Sequence, residues 1–453
     1  MEAPRDLFVI LPPVNRRRLL AGGALLVLAI AAALGAYAYL DDPDPPEKRG
    51  SAREEFLTTE APKPKPKPED PTPWPTYSYD NQRTHVSPYR HRPPYRRLWS
   101  IDARDTVEFP GSIGYGRAYV AQQKGLFFAL NAKTGKVAWR KNTGRCHAAS
   151  PTLGKGMVYQ AVMDHVPCPP ERPGATGYVV AWDADTGRRR WQWNKTPVES
   201  SPLLVGNRLF VGTWDHGVYA LNANKGKVIW RFGADEQVNT AGAYWRGTVY
   251  IASNAGTLFA IDARTGRERW RARASSGEFF YATPTVAYGR VFIGNTDGTM
   301  YVYGARSGRL LWARPLGSYV YGAAAVWRRR VFVGTYDGYF YSLDAATGDV
   351  KWRITAPGAV HAAATVMRGL VYYATCSSCG SEAQRTVKQG PDGVYALNAR
   401  NGRQVWRFPN GKYANPVVAD TERIYVTGRS FFYAMEPRAV GKRKRSERRR
   451  QRR

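Results

Sequence analysis

Four cysteines are the residues whose chemistry the sequence raises first. Cys376 and Cys379 are separated by two serines, a spacing found in redox and metal sites. A structural zinc site needs a second pair of ligands at similar spacing, and none occurs nearby. Outside the cytoplasm, paired cysteines form disulfides by default. The sequence therefore predicts two structural disulfides, Cys146 with Cys168 and Cys376 with Cys379; a metal site or free, redox-active thiols are the alternatives.

The other ionisable residues do not assemble into a known catalytic pattern. The six histidines are scattered, and neither a Ser-His-Asp order nor a phosphate-binding glycine loop is present. One Asp or Asn does recur before a glycine turn, at Asn131, Asp183, Asn222, Asp262, Asp344 and Asn398. Because the position repeats with its turn, we expect these side chains to form hydrogen bonds within turns and to have no catalytic role.

These turns belong to a phrase that recurs along the chain. Its clearest copy, AIDARTGRERWR, runs from Ala260 to Arg271. The other copies occupy residues 129–140, 181–191, 220–231, 303–312, 342–353 and 396–407. A period of about forty residues indicates a repeat architecture. Each repeat holds four strand-like segments separated by glycine turns, which is typical of a four-stranded antiparallel propeller blade.

The tryptophan that ends each phrase counts the blades. Seven such residues follow complete repeats: Trp139, Trp191, Trp230, Trp270, Trp312, Trp352 and Trp406. An eighth, Trp99, has no preceding strands of its own, and the last repeat lacks a fourth strand. We therefore predict an all-β fold, an eight-bladed propeller over residues 95–437. The strand around Trp99 completes the last blade and closes the ring, so no sheet edge stays open.

One residue of each innermost strand is expected to lie near the mouth of the central channel. Aligning the repeats selects Glu108, Ala148, Glu199, Asn239, Tyr281, Tyr321, His361 and Tyr413. A ring of polar and aromatic groups around a funnel is a candidate ligand site. The alternative is that these residues only solvate the channel.

The motif D-A-x-T-G-x-x-x-W resembles that of the eight-bladed propellers of pyrroloquinoline quinone (PQQ) dehydrogenases, over about residues 95–437. The resemblance implies that the eight tryptophans dock between neighbouring blades. It does not by itself imply an activity, because non-enzymatic relatives such as the BamB-like propellers share the repeat.

The resemblance also suggests where a cofactor would sit. The dehydrogenases hold a calcium ion through a Glu, an Asn and an Asp. Glu199 and Asn239 match two of these ligands, but Tyr281 stands where a further carboxylate would be useful, and calcium prefers several oxygen ligands. The disulfide between adjacent cysteines that resembles a cofactor cover is absent from this sequence. We therefore predict no cofactor, no metal and no catalytic residue.

The N-terminal region has the pattern of a membrane anchor followed by a spacer. Residues 19–40 carry no charge and are long enough to span a bilayer as a helix. Basic residues precede this run and acidic ones follow it, which predicts a cytoplasmic N-terminus (1–18) and an extracytoplasmic propeller. A cleaved signal peptide is the alternative. Residues 41–94 form a Pro-rich, extended linker, and the aromatic residues at its end, 74–89, are numerous enough to dock on the propeller.

The charge of the chain favours anionic partners, with a generally Arg-rich composition whose charges are solvated as the alternative. The formal net charge is +31, and residues 438–453 hold ten Lys or Arg against one Glu. Such a block is typical of a disordered tail. Attachment to anionic lipid or to an anionic wall polymer fits an exterior location better than nucleic acid does. A tail that only increases solubility is the alternative.

Together these features predict a monomeric, membrane-anchored propeller that acts as a non-catalytic binding or scaffold platform for envelope proteins or polymers. A PQQ-dependent dehydrogenase is one alternative. An extracytoplasmic sensor that signals through a partner is the other, since 18 N-terminal residues are too few for a signalling module.

Overall fold

The computed structural model describes residues 55–61, 71–168, 174–377, 390–412 and 417–438, all within the unit Glu47–Arg453. Within these ranges no helix has the length and apolar composition that a membrane span requires. The predicted anchor at 19–40, most of the linker, Cys379, Tyr413 and the tail beyond Arg438 lie outside the described residues.

The described strands form eight four-stranded antiparallel sheets, one for each predicted blade. The first strand of the chain is β1 (Tyr95–Asp102). The first four blades contain β2 (Ser112–Gly114), β3 (Arg117–Ala121), β4 (Leu126–Asn131), β5 (Val137–Asn142); β6 (Thr152–Gly154), β7 (Met157–Val162), β8 (Gly177–Asp183), β9 (Arg189–Lys195); β10 (Leu203–Val205), β11 (Arg208–Thr213), β12 (Gly217–Asn222), β13 (Val228–Gly233); β14 (Ala243–Trp245), β15 (Thr248–Ala252), β16 (Thr257–Asp262) and β17 (Glu268–Arg273). The last four contain β18 (Thr285–Ala287), β19 (Arg290–Gly294), β20 (Thr299–Gly304), β21 (Leu310–Pro315); β22 (Ala325–Trp327), β23 (Arg330–Gly334), β24 (Tyr339–Asp344), β25 (Val350–Thr355); β26 (Thr365–Met367), β27 (Leu370–Ala374), β28 (Val394–Asn398), β29 (Gln404–Phe408); β30 (Val418–Ala419), β31 (Ile424–Gly428) and β32 (Phe431–Pro437). A one-turn 3-10 helix spans Thr58–Glu60.

The two middle strands of each blade carry most of the core. Every residue of β15 and β20 is buried, because both faces of these strands are covered by neighbouring blades. The outermost strands are different: β5 and β17 alternate between exposed and half-buried residues, as expected for a strand with one solvated face. The innermost strands are only two or three residues long. In the fifth blade, for example, β18 begins only at Thr285, and the residues before it form the loop that enters the blade.

The repeated Asp or Asn organises the turn between the third and fourth strands of a blade. Asp262 Oδ1 accepts the backbone N–H groups of Arg264 (3.0 Å) and Thr265 (2.8 Å). The same pair of bonds forms at Asn131, Asp183, Asn222 and Asp344. The prediction that these residues stabilise turns is confirmed.

Each turn receives the tryptophan of the preceding blade. Trp230 of the third blade donates its indole N–H to the carbonyl of Ala263 (3.2 Å). Its ring lies over Gly266, where a Cβ atom would come within 2.7 Å of it. Because φ at Gly266 is +75°, the turn needs glycine for its backbone as well as for the close approach. The same contact is made by Trp99, Trp139, Trp191, Trp270, Trp312 and Trp352.

The ring of tryptophan contacts begins on β1. This strand pairs with β32, with Ser100 opposite Tyr433, and forms the outer strand of the last sheet. From there Trp99 reaches Ala132 and Gly135 in the turn of the first blade. Trp406 is the exception, because the last blade has no such turn; its ring instead packs against Tyr95 of β1, with ring centroids 5.1 Å apart.

The end of the predicted linker is part of the folded domain. Residues 71–91, here called the collar, run past the innermost strands in chain order. Trp74 exchanges backbone hydrogen bonds with Ile113 of β2, and the carbonyls of Asn81, Gln82 and His85 accept from Tyr244, Val286 and Val366 of the later blades. In each of these strands the bonded residue is the middle one. The collar thus pairs the backbone groups that the innermost strands would otherwise leave bare at the channel.

Antiparallel blades have two ends, and different segments lie at each. The glycine turns that hold the tryptophans lie at one end, here called the turn face, and the 3-10 helix docks there through Leu57, whose N–H donates to Tyr288 (2.9 Å). At the other end, the cavity face, lie the loops that enter each innermost strand and the two cysteine-bearing insertions, between β7 and β8 and between β27 and β28.

Candidate functional site

The channel-mouth residues predicted from the repeats occupy one loop position. Apart from Tyr413, which lies outside the described residues, each lies four residues before the first residue of an innermost strand, in the loop that arrives from the preceding blade. They therefore belong to loops, not to the innermost strands as predicted, because those strands begin later in the chain. The structure brings six of them together around a cavity of about 200 Å³: Glu108, Glu199, Asn239, Tyr281, Tyr321 and His361.

Two of the predicted positions are not among the described residues that line this cavity. Ala148 packs instead beside Cys146 and Met163. Tyr413 lies outside the described residues.

Sequence reasoning missed several other residues of the cavity wall. Tyr77 comes from the collar, and Phe109 follows Glu108 in the same loop; Ser201 and Thr283 are two residues further along their loops than Glu199 and Tyr281. The Tyr77 ring is 8% exposed and meets the Phe109 ring edge-on at 6.2 Å. The aromatic run at the end of the linker was the available signal for Tyr77, but only the tertiary structure shows that it enters the channel.

The collar holds Tyr77 in place through a buried arginine. Arg83 is 0% exposed. Its guanidinium donates to the carbonyls of Gly242 (2.8 Å) and Tyr77 (2.5 Å) and to Oγ1 of Thr76 (2.8 Å). These bonds join the collar to the fourth blade and fix the backbone of Tyr77, which lines the cavity.

One wall of the cavity carries two carboxyl groups. Burial raises the pKa of Glu199 to about 7, although its Oε2 accepts the indole N–H of Trp214 at 3.2 Å. Burial, together with the charge of Glu199, raises the pKa of Glu108 to about 7 as well. Among the described residues neither carboxyl has an ion-pair partner. The charge of this wall therefore changes near neutral pH.

Another part of the wall is a stack of aromatic rings from successive blades. The ring centroids of Tyr281 and Tyr321 are 5.2 Å apart with an interplanar angle of 21°, and those of Tyr321 and His361 are 5.5 Å apart at 25°. Tyr336 is hydrogen-bonded to Nδ1 of His361. Burial lowers the pKa of His361 to about 4, so its imidazole is neutral at pH 7. The stack thus presents neutral π-systems to the cavity.

Three cysteines pack beside residues that line or support this cavity. Cys146 and Cys168 are disulfide-bonded, as predicted, and Phe109 and Trp214 pack against them. Cys376 is also disulfide-bonded, and it packs with Tyr336 and Tyr321; its predicted partner Cys379 lies outside the described residues. The disulfides therefore stabilise loops whose aromatic residues form or support the cavity walls.

The donor set fits a PQQ and calcium site poorly. Within the described ranges no three His, Cys, Asp or Glu side chains are grouped to hold a metal ion. Glu199 and Asn239 share the cavity, but the neighbouring position is Tyr281, whose pKa burial raises above its usual value and whose ring stacks on Tyr321. Calcium prefers six to eight oxygen ligands, carboxylates among them, and the lining contributes only two carboxyl groups, Glu108 and Glu199. A volume of about 200 Å³ is also below the roughly 300–1,000 Å³ of pockets that hold larger ligands.

Comparison with known proteins places the repeats in a family. The family described as outer membrane protein assembly factor BamB matches residues 94–213, 171–244, 215–319 and 297–441, which together span the propeller. The chain belongs to this family. The sequence identity between this chain and individual relatives is low, and the relatives include enzymes with the same repeat.

Two curated relatives show this range. Outer membrane protein assembly factor BamB of Nitrosomonas eutropha is 27% identical over 191 residues, which are 40% of this chain and 43% of that protein. Quinohemoprotein alcohol dehydrogenase of Comamonas testosteroni is 26% identical over 222 residues, 42% of this chain and 30% of that protein. The chain thus spans less than half the length of either relative.

A solved structure supports the fold. The crystal structure of BamB from Moraxella catarrhalis superposes with a TM-score of 0.60 at 16% identity, over 77% of this chain and 99% of that chain. At this identity the likeness establishes the architecture and carries no information about the ligand.

Proposed function

We propose that this BamB-family propeller is a non-catalytic binding platform for proteins of the cell envelope. The observation that carries the proposal is the cavity at the end of the channel. It is lined by side chains that differ from blade to blade, is backed by the collar and is bordered by two disulfide-bonded loops. A small, rigid, partly aromatic cavity of this kind suits the capture of a side chain from a partner better than the housing of a large cofactor.

The chemistry of the wall supports a role without catalysis. No described residue pairs an activated nucleophile with a base at the cavity, and no three carboxylate, His or Cys side chains among the described residues are grouped to hold a metal ion. The relatives include a dehydrogenase, so this alternative requires a direct test.

The enzymatic alternative is tested by reconstitution. The purified full-length chain, supplied with calcium and PQQ, is assayed for reduction of an electron-accepting dye with a panel of alcohols and sugars. We expect no reduction above the protein-free control and no stable cofactor absorbance after desalting. Substrate-dependent dye reduction that is lost in the Glu199→Ala variant would overturn the proposal.

The binding role is tested by crosslinking from two positions of equal exposure. Phe279 is 45% exposed on the cavity face, and Val228 is 46% exposed on an outermost strand. A photo-crosslinking residue at position 279 is expected to give a defined adduct with an envelope protein, and one at position 228 is not. The identified partner, once purified, should bind the wild-type chain more tightly than the Tyr281→Ala/Tyr321→Ala variant. Equal binding of both would contradict the assignment of the cavity.

We also infer that the propeller lies outside the cytoplasm and is tethered to the membrane. The disulfides at Cys146 and Cys376 support this location, since such bonds persist in oxidising compartments. Protease added to intact spheroplasts is expected to digest the propeller. Protection until the membrane is lysed would place the propeller inside.

A further inference from the structure

The cavity has the opposite charge character to the chain that contains it. The chain holds 67 Lys and Arg against 36 Asp and Glu. The described residues of the cavity wall, in contrast, include Glu108 and Glu199 and no Lys or Arg. Because both carboxyl groups lack ion-pair partners among the described residues, their charge is available to a ligand.

The remainder of the wall is suited to the same kind of ligand. Tyr77, Phe109, Tyr281 and Tyr321 contribute aromatic rings, and the electron-rich faces of such rings attract cations. The imidazole of His361, stacked on Tyr321 and neutral at pH 7, adds no opposing charge.

A buried acceptor in the wall also lacks a donor. Oδ1 of Asn239 is shielded from solvent and has no hydrogen-bond partner among the described residues. A buried, unsatisfied carbonyl is costly, and a ligand carrying N–H groups would satisfy it.

We propose that the cavity binds an organic cation, an alkylammonium or guanidinium head group, with carboxylates on one side and aromatic rings on the other. The proposal rests on the proposed function and names the group that a partner would insert. A volume of about 200 Å³ suits one side chain or one small amine and excludes a folded peptide.

Proton linkage gives this site a characteristic pH dependence. The groups facing the cavity that can titrate are Glu108, Glu199, His361, Tyr77, Tyr281 and Tyr321. Between pH 6 and 8 only the glutamates change charge, because the pKa of His361 is about 4 and the pKa values of Tyr77 and Tyr321 are raised to about 12. A cation favours the ionised carboxylates, so its affinity should rise from pH 6 to pH 8 and its binding should release protons.

The test is calorimetric titration of the full-length chain with matched probes. Butylguanidinium and butylammonium are compared with butylurea, which has nearly the same shape as butylguanidinium and no charge. We expect the two cations to bind and butylurea to bind roughly tenfold more weakly or not at all. Binding of butylurea as tight as that of the cations would overturn the proposal. The proposal would also be overturned if calcium chloride bound and neither organic cation did.

Variants locate the binding and separate two sources of the cation. Glu108→Gln/Glu199→Gln should reduce cation affinity roughly tenfold or more. The matched control, Glu268→Gln, changes an exposed carboxylate paired with Arg271 on β17 and should leave affinity unchanged. An acetylated and amidated Gly-Arg-Gly peptide that binds as well as butylguanidinium identifies a protein side chain as a suitable source. Binding of the free amine without the peptide identifies a small metabolite. Unchanged affinity in the double Gln variant would contradict the proposal.

The same experiments distinguish this proposal from the proposed function. If the crosslinked partner binds wild type and the double Gln variant equally well and the cation probes do not bind, the proposed platform function is retained and the cation site is rejected. If PQQ-dependent oxidation is found, the platform falls whatever the cation probes show.

Discussion

The two ends of the blades are built from the same repeat and are used differently. On the turn face, seven tryptophans make the same hydrogen bond and the same contact with a glycine in the next blade. On the cavity face, one equivalent loop position holds Glu, Ala, Glu, Asn, Tyr, Tyr and His in successive blades. Uniform contacts are what a closed ring needs, whereas a cavity that recognises a ligand needs different groups on different sides. The turn face therefore supplies stability, and the cavity face supplies specificity.

The largest effect is expected on the turn face. Trp312 is fully buried and donates its indole N–H to the carbonyl of Ala345, with its ring over Gly348. Trp312→Ala should lower the free energy of unfolding by about 3–5 kcal/mol, because it opens a large cavity between two blades. Denaturant unfolding measures the loss. Val405→Ala, at a residue 48% exposed on β29, is the control and should change stability by less than about 0.5 kcal/mol. The cation affinity of Trp312→Ala, measured at denaturant concentrations below its unfolding transition, should be unaltered. If cation affinity fell together with stability, the division of roles between the turn face and the cavity face would be wrong.

The disulfide on the cavity face should affect both stability and binding. Cys146→Ser/Cys168→Ser frees a loop of 22 residues and should lower the free energy of unfolding by about 3 kcal/mol. Because Phe109 and Trp214 pack against this bond, cation affinity should also fall. Unfolding curves and calorimetry measure the two effects. Thiol titration of the unreduced wild-type protein should find no reactive thiol. Four reactive thiols would contradict the disulfide assignment.

The collar should have an intermediate effect. Arg83→Met leaves the buried carbonyls of Gly242 and Tyr77 without their donor, so stability should fall by about 1–3 kcal/mol. The exposed Arg90, in the same segment, provides the control variant Arg90→Met. Limited proteolysis gives a second measurement: the collar should be cleaved faster in Arg83→Met. Wild-type cleavage rates in both variants would show that the collar does not depend on this arginine.

The last expected effect is a dependence of stability on pH. The pKa values of Glu108 and Glu199 are raised to about 7 from 4.5, so the folded state binds protons that the unfolded state has lost. Their contribution to stability is therefore present below about pH 4.5 and is lost as the pH rises through 7. The pKa of His361 is lowered, so its contribution has the opposite slope below pH 6.5.

The double Gln variant isolates the glutamates from the histidine. Relative to wild type, Glu108→Gln/Glu199→Gln should gain stability as the pH rises from 5 to 8, measured as a growing difference in melting temperature. The histidine contribution cancels in this difference. A difference independent of pH would show that the two carboxyl groups do not titrate in this range.

Several features followed from the sequence because they are local and repeated. The turn glycine recurs in register in all seven copies of the phrase and the Asp or Asn that begins the turn recurs in six of them, so the copies support one another. The repeat count gave eight sheets, and the strand around Trp99 is found beside β32. The loop position of Glu199 and its equivalents followed from the same spacing, even though the innermost strands proved too short to contain them.

The sequence by itself thus determined the propeller and its blade count, because hydrogen bonds within a turn depend on residues two or three apart, while the tryptophan contacts between blades were implied by the family resemblance. Only the tertiary structure decided what closes the channel and what the cavity contains. The collar is bound through backbone groups, which every residue has, and its aromatic residues gave no sign of which strands they would meet. The raised pKa values of Glu108 and Glu199 likewise arise from burial between blades about ninety residues apart, which no local pattern records.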